Sequence, residues 1–181
     1  MPTWVVSAFL DDDLLALNRA MGIIRRRNIK VPSISLGPCG RAGVTRLTCI
    51  VESDEAATER MANQLRKMVG VSEVLVYPES YCAGREHVLA RVRVSPAQLS
   101  ALLDTVALYD ARIVEEGAHD LLLEATGTAP FMVSLLRALE PFGIVDLVRG
   151  GTLALPPAPA AEAEVQRTSP AAPRVPTAVP A

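Results

Sequence analysis

Reactive chemistry is scarce in this sequence. It has two histidines in 181 residues, His87 and His119. His87 falls on the polar phase of a strand pattern. His119 falls at a hairpin tip beside Asp120, where neighbouring side chains point to opposite faces. Neither position favours a catalytic role. The three cysteines, Cys39, Cys49 and Cys82, are odd in number and form no CxxC. They read as free thiols in a reducing cytoplasm rather than a disulfide framework. Aromatic residues make up only 4% of the chain, so Ala, Val and Leu must supply the core volume. Charge of one sign is also missing, with 18 basic and 20 acidic residues and a net charge of −2. The densest basic run, Arg25-Arg26-Arg27 with Lys30 nearby, ends a helical pattern and complements the helix dipole. It reads as a solvated helix end, and no aromatic RNA-binding motif accompanies it. No nucleic-acid partner is expected. No apolar run is long enough to span a membrane, and no signal-peptide pattern opens the chain. Neither membrane attachment nor export is expected.

Two further features lack the pattern that would make them sites. Asp11-Asp12-Asp13 is not followed by D-x-D-x-D-G spacing, so it reads as a helix cap rather than a cation loop, and no metal site is expected. The loop Gly37 to Gly43 has no GxxxxGK[ST] order and joins two strands, so it reads as a turn. A small enzyme built on Cys39 or Asp12 is the weakest reading of the chain.

What is present is a doubled pattern. Trp4–Leu10 reads as an apolar strand. A helix follows from Leu14 to Arg27, with Leu14, Leu17, Met21 and Ile24 on one face. Ile29–Leu36 and Val44–Glu52 read as strands, Pro32 marking an edge position or bulge. A helix is predicted over Glu55–Val69, with Ala57, Met61, Leu65 and Met68 buried and Gly70 closing it. Val71–Tyr77 is the fourth strand. The order then repeats. His87–Val94 is a strand, and Ser95-Pro96 caps a helix running to Tyr109. Arg112–Glu115 and Asp120–Ala125 form a hairpin. Thr128-Ala129-Pro130 opens a helix ending near Glu140, and Ile144–Arg149 is the last strand.

The fold class this predicts is α+β, as two tandem ferredoxin-like (βαββαβ) units, each a four-stranded antiparallel sheet with two helices on one face. The expected division is residues 1–78, a linker at 79–85, a second unit at 86–155 and a Pro/Ala-rich disordered tail at 156–181. The second face of each sheet is expected to stay open and apolar. Such a face is costly in water, so a second copy should cover it.

The motifs, in order, resemble those of the acetolactate synthase (acetohydroxyacid synthase) small regulatory subunits. Arg26-Arg27-Asn28-Ile29 stands where that family has Arg-Arg-Gly-Phe-Asn-Ile. Thr45-Arg46-Leu47-Thr48 is similar to its Ser-Arg-Met-Thr strand, and Asn63-Gln64-Leu65-Arg66-Lys67-Met68-Val69 to its second helix end. Arg85-Glu86 matches the pair that opens the second unit. Pro141-Phe142-Gly143-Ile144 through Arg149-Gly150-Gly151-Thr152-Leu153-Ala154-Leu155 is similar to its C-terminal run.

The resemblance implies that the first unit is an ACT domain and that two copies pair through it. It implies a non-catalytic cytoplasmic chain that binds a catalytic subunit carrying thiamine diphosphate, Mg²⁺ and FAD. It also implies activation of that transferase in branched-chain amino acid (valine, leucine, isoleucine) biosynthesis, with valine-type feedback. The effector residues carried over are Asp12, Leu15 and Ala16 on one subunit and Lys30 and Val31 on the facing one. They depart from the family pattern. Asn-x-x-Gly-x-Leu is here Asp12-Asp13-Leu14-Leu15-Ala16-Leu17. Leu15 fills the space that glycine leaves for an effector carboxylate at a helix start. Asp12 puts a carboxylate where an amide belongs. Feedback is therefore expected to be lost or altered. The alternative is a stand-alone ACT-domain amino-acid sensor acting on another enzyme.

Overall fold

A computed structural model describes residues 1–11, 14–27 and 29–157. Thirteen regular elements of helix and strand follow one another in two rounds. The first round is β1 (Thr3–Asp11), α1 (Leu14–Arg26), β2 (Lys30–Pro38), β3 (Val44–Glu52), α2 (Glu55–Arg66) and β4 (Val71–Pro78). The second is β5 (Ala83–Arg93), α3 (Leu99–Leu108), β6 (Arg112–Glu116), β7 (Asp120–Gly127), α4 (Ala129–Leu139) and β8 (Ile144–Arg149), followed by a short β9 (Leu153–Leu155). The first sheet has the order β2-β3-β1-β4 and the second β6-β7-β5-β8, with β9 added beside the start of β5. All strand pairs are antiparallel.

Each half packs its two helices on one face of its sheet. In the first half, Val6, Ala8 and Leu10 of β1 meet Ala16, Ala20 and Ile24 of α1 and Met61, Ala62 and Leu65 of α2. In the second, Val88, Ala90 and Val92 of β5 meet Leu102 and Val106 of α3 and Met132, Leu135 and Leu139 of α4. The cores are aliphatic, as the low aromatic content requires.

The buried seam of α1 keeps Ile24 from the expected face, with Leu17 and Met21 partly buried against the core, but is centred on alanines. Ala16, Ala20 and Ile24 are buried, whereas Leu14 at the helix start is 82% exposed. Small alanines let the helix lie close to the sheet, so the tightest contact falls on them rather than on the leucines. On α2 the fully buried residues are Thr58, Met61, Ala62 and Leu65, and the helix ends at Arg66 rather than Val69. Asp54 caps it by accepting from the Ala57 amide at 2.7 Å. Gly70 takes φ +87°, a left-handed conformation that glycine adopts without strain. Thr128 caps α4 as expected, accepting from the Phe131 amide. Ser95-Pro96 does not cap α3. The Gln98 amide bonds to the Ser95 carbonyl at 3.0 Å, and the helix begins after that turn, at Leu99.

The open faces also differ from expectation. On the first sheet the far face is covered from within the chain. Val5 and Ile50 pack against Ala154 of β9, with Cys82 beside them. Ser7 is buried and receives a hydrogen bond from Arg46 Nη2 at 2.8 Å, and Phe9 lies under the guanidinium groups of Arg41 and Arg46. This explains why β1 is apolar apart from the hydrogen-bonded Ser7, since a central strand covered on both faces has no solvent phase. On the second sheet the far face mixes ion pairs with the apolar Leu89, Leu122 and Val148, which share it by register. Arg91 bonds Asp120 at 2.9 Å and Glu115 at 3.4 Å, and Arg112 pairs with Glu124. The ion pairs are stable in water, so the cost argument for a second copy is weaker there than on a wholly apolar face. No helix among the described residues is long and apolar enough to cross a membrane. Of the expected tail, residues 158–181 lie outside the described residues.

Cys49 is 2% exposed on β3, and burial pushes its thiol from an ordinary 9.0 up to about 12. The folded thiol therefore titrates above the unfolded one. Its contribution to stability is full below about pH 9 and is lost as pH rises toward about 12. In the native chain at pH 8, an alkylating reagent should leave Cys49 unmodified, react with the half-buried Cys39, and react more slowly with Cys82, whose thiol burial also pushes up. Mass spectrometry of the labelled peptides checks this.

Candidate effector site and the contact between halves

The turn from β1 into α1 sits at one end of the first sheet. The Asp11 amide donates to the Gly70 carbonyl at 2.9 Å, which ties this turn to the α2–β4 turn. Leu15 lies in the first turn of α1 and is 51% exposed. Ala16 is buried behind it. A Cβ at Gly70 would lie 3.3 Å from both Ala16 Cβ and Asp11 Oδ2, so Gly70 is fixed by space as well as by φ. Asp12 lies outside the described residues.

Lys30 and Val31 begin β2, at the other end of the sheet. Lys30 Nζ donates to both oxygens of Glu52, at 2.9 and 2.7 Å. The pair is exposed, so it contributes little stability, but it occupies the lysine with a carboxylate of its own chain. Val31 packs against the first core. The register gives the separation. Asp11 pairs Val44 at one end of β3 and Lys30 pairs Glu52 at the other. Eight steps of roughly 3.3 Å put the two ends about 26 Å apart. One chain therefore does not bring Leu15 and Ala16 together with Lys30 and Val31.

Two arginines of the basic run line a cleft between the C-terminal ends of α1 and α2. Ile23, Arg26, Arg27, Gln64, Lys67 and Met68 surround a space of about 430 Å³. Arg27 Nε donates to Gln64 Oε1 at 3.1 Å. The histidines form no catalytic pair. His87 Nδ1 meets Thr126 Oγ1 at 3.0 Å, and Asp120 bonds Arg91 rather than His119.

The residues that sequence reasoning missed lie where the chain returns after β8. The Thr152 amide donates to Ser33 Oγ at 2.6 Å, and Ser35 Oγ donates to the Thr152 carbonyl at 3.1 Å. Arg46 Nη2 also donates to the Ala154 carbonyl, at 3.0 Å. Burial lowers the Arg46 pKa, and its Nε has no hydrogen-bond partner among the described residues. Glu86 is 6% exposed and accepts from Arg149 Nε at 2.7 Å and Thr152 Oγ1 at 2.8 Å. The sequence signal was the paired glycines Gly150-Gly151 between two apolar runs, which mark a close approach of backbone.

Two family models match the chain. One, described as the small subunit of acetolactate synthase, covers residues 85–157, and one described as an ACT domain covers residues 12–74. The acetolactate synthase small subunit of Mycobacterium leprae (strain TN) is 30% identical over 155 residues, spanning 86% of this chain and 92% of that one. The chloroplastic acetolactate synthase small subunit 1 of Nicotiana plumbaginifolia is 31% identical over 144 residues, 80% of this chain and 32% of the longer plant chain. The crystal structure of the acetolactate synthase small subunit from Thermotoga maritima superposes with a TM-score of 0.83 at 20% identity, covering 88% of this chain and 100% of that one.

Proposed function

We infer the function from one premise: this chain belongs to the family of acetolactate synthase small subunits. It is the regulatory subunit of a cytoplasmic acetolactate synthase. It binds the catalytic subunit and raises its activity in branched-chain amino acid biosynthesis. The observation that carries this reading is the identity of 30% sustained over 155 residues, which runs through both halves in one order. The division we propose is an ACT domain over 1–78 and a second ferredoxin-like domain over 86–155.

Two copies pair through the ACT domain along β2. That strand is an edge of the first sheet, and its outer side has no partner strand among the described residues. An unpaired edge is a template for another strand. If two β2 strands meet antiparallel, Lys30 of one copy faces the Pro38 end of the other. Pro38 pairs Thr45, beside the Asp11–Val44 end that leads to Leu15. The second copy thus closes the 26 Å gap. The effector site assembled this way is altered: Leu15 narrows the approach and Lys30 is already paired. Response to valine is lost or weakened.

Co-expression with a tagged catalytic subunit tests the partnership. Recovery of both chains in one peak, with this chain at two copies or an even multiple, is the expected result. Recovery of the catalytic subunit alone, at low salt and from every candidate tried, would contradict it.

A further inference from the structure

The two halves have separate cores, yet one short segment grips the edge strand that carries Lys30 and Val31. Thr152 is 5% exposed and uses its two parts differently. Its backbone holds β2, through Ser33 at 2.6 Å and Ser35 at 3.1 Å. Its hydroxyl holds β5, through Glu86 at 2.8 Å. Glu86 in turn takes Arg149 of β8 on its other oxygen. The preceding residue has no room for a side chain, because a Cβ on Gly151 would sit 2.1 Å from the Ile34 carbonyl oxygen. The Gly150 amide donates to the His87 carbonyl at 2.8 Å, which anchors the other end of the segment to β5.

We propose that residues 150–154 are a clasp that couples the position of β2 to the second sheet, through Ser33 and Ser35, then Thr152, then Glu86 and Arg149. The proposal deepens the regulatory reading above and rests on it, since β2 matters to regulation only if it carries half of the effector site. The physical basis is local. Among the described residues β2 forms a ladder with one strand, and that ladder with β3 is interrupted between Lys30 and Ser33. Its first half is therefore held by fewer ladder bonds than the central strands β1 and β3. Ser33 and Ser35 sit just past the irregularity. A backbone-on-backbone approach at Gly151 leaves no slack, because packed contacts do not deform continuously. When β2 shifts, Thr152 must shift with it, and Glu86 follows or loses a buried hydrogen bond.

Amide hydrogen exchange on the full chain tests the coupling in both directions. Thr152→Val removes the hydroxyl but keeps the branched shape and both backbone bonds to β2. In that variant the amides of residues 30–38 should exchange about tenfold faster, although the deleted bond lies in the second half. The double variant Ser33→Ala, Ser35→Ala should speed exchange across 83–93 and 144–149 by a similar factor. Both leave the two main cores untouched. Acceleration confined, in either variant, to the half that carries the substitution would overturn the proposal. Neither readout needs a catalytic subunit or an effector. A failed clasp leaves the regulatory role standing, and a failed activation assay leaves the clasp standing.

Discussion

Glu86→Ala is expected to destabilise the chain by about 3 kcal/mol, the lower end of the range for breaking a buried pair from one side. Glu86 is nearly enclosed and holds two donors, Arg149 and Thr152. Alanine leaves both without their acceptor. Arg149 is 33% exposed, so water can reach it, which keeps the loss from the upper end of that range. In a domain of this size such a loss lowers Tm by roughly 10 °C. Glu86→Gln keeps an acceptor for Thr152 and should lose about half as much. Urea denaturation of the three chains measures it. A loss below about 0.5 kcal/mol in Glu86→Ala would mean that the cluster is solvated and contributes nothing specific.

The double substitution Asp12→Asn, Leu15→Gly is expected to give the chain valine binding that the parent lacks or performs poorly. Glycine at 15 opens the helix start to a carboxylate, and asparagine at 12 removes a like charge. One or two charge-assisted hydrogen bonds gained are worth about tenfold to a hundredfold in affinity. Glycine in the first helical turn costs up to about 1 kcal/mol of stability, so the variant should melt slightly earlier without ligand. Calorimetric titration with valine, leucine and isoleucine reads the outcome. Equal binding by parent and variant would show that Leu15 does not obstruct the site, and that Lys30 or another group holds the carboxylate.

The doubled architecture was legible because both rounds carry strong local signals. Val44–Glu52 and Ile144–Arg149 coincide with β3 and β8, and Thr128 caps its helix where the pattern places it. What local signals could not reveal was the far face of the first sheet. Periodicity in β1 shows an apolar strand, but not that Ala154, some 150 residues on, covers Val5. Ser33, Ser35 and Thr152 read as ordinary polar positions for the same reason: their meaning is a contact between segments far apart in sequence. Ser95-Pro96 misled because a cap sequence also suits a turn, and here a turn closed by the Gln98 amide on the Ser95 carbonyl precedes the helix, which starts at Leu99. Of the candidate site, the structure places Leu15 and Ala16 at one end of the sheet and Lys30 and Val31 at the other. One chain holds the two pairs apart, and the effector site proposed above needs a second copy, which no single sequence can display.

The central claim is that this chain acts on a catalytic subunit. The most direct measurement is the rate of acetolactate formation by a fixed amount of thiamine-dependent catalytic subunit as this chain is titrated in. A saturable rise, with a plateau at a simple subunit ratio, is the predicted result. A rate that stays flat with every candidate catalytic subunit, while the chain itself is folded, would contradict it.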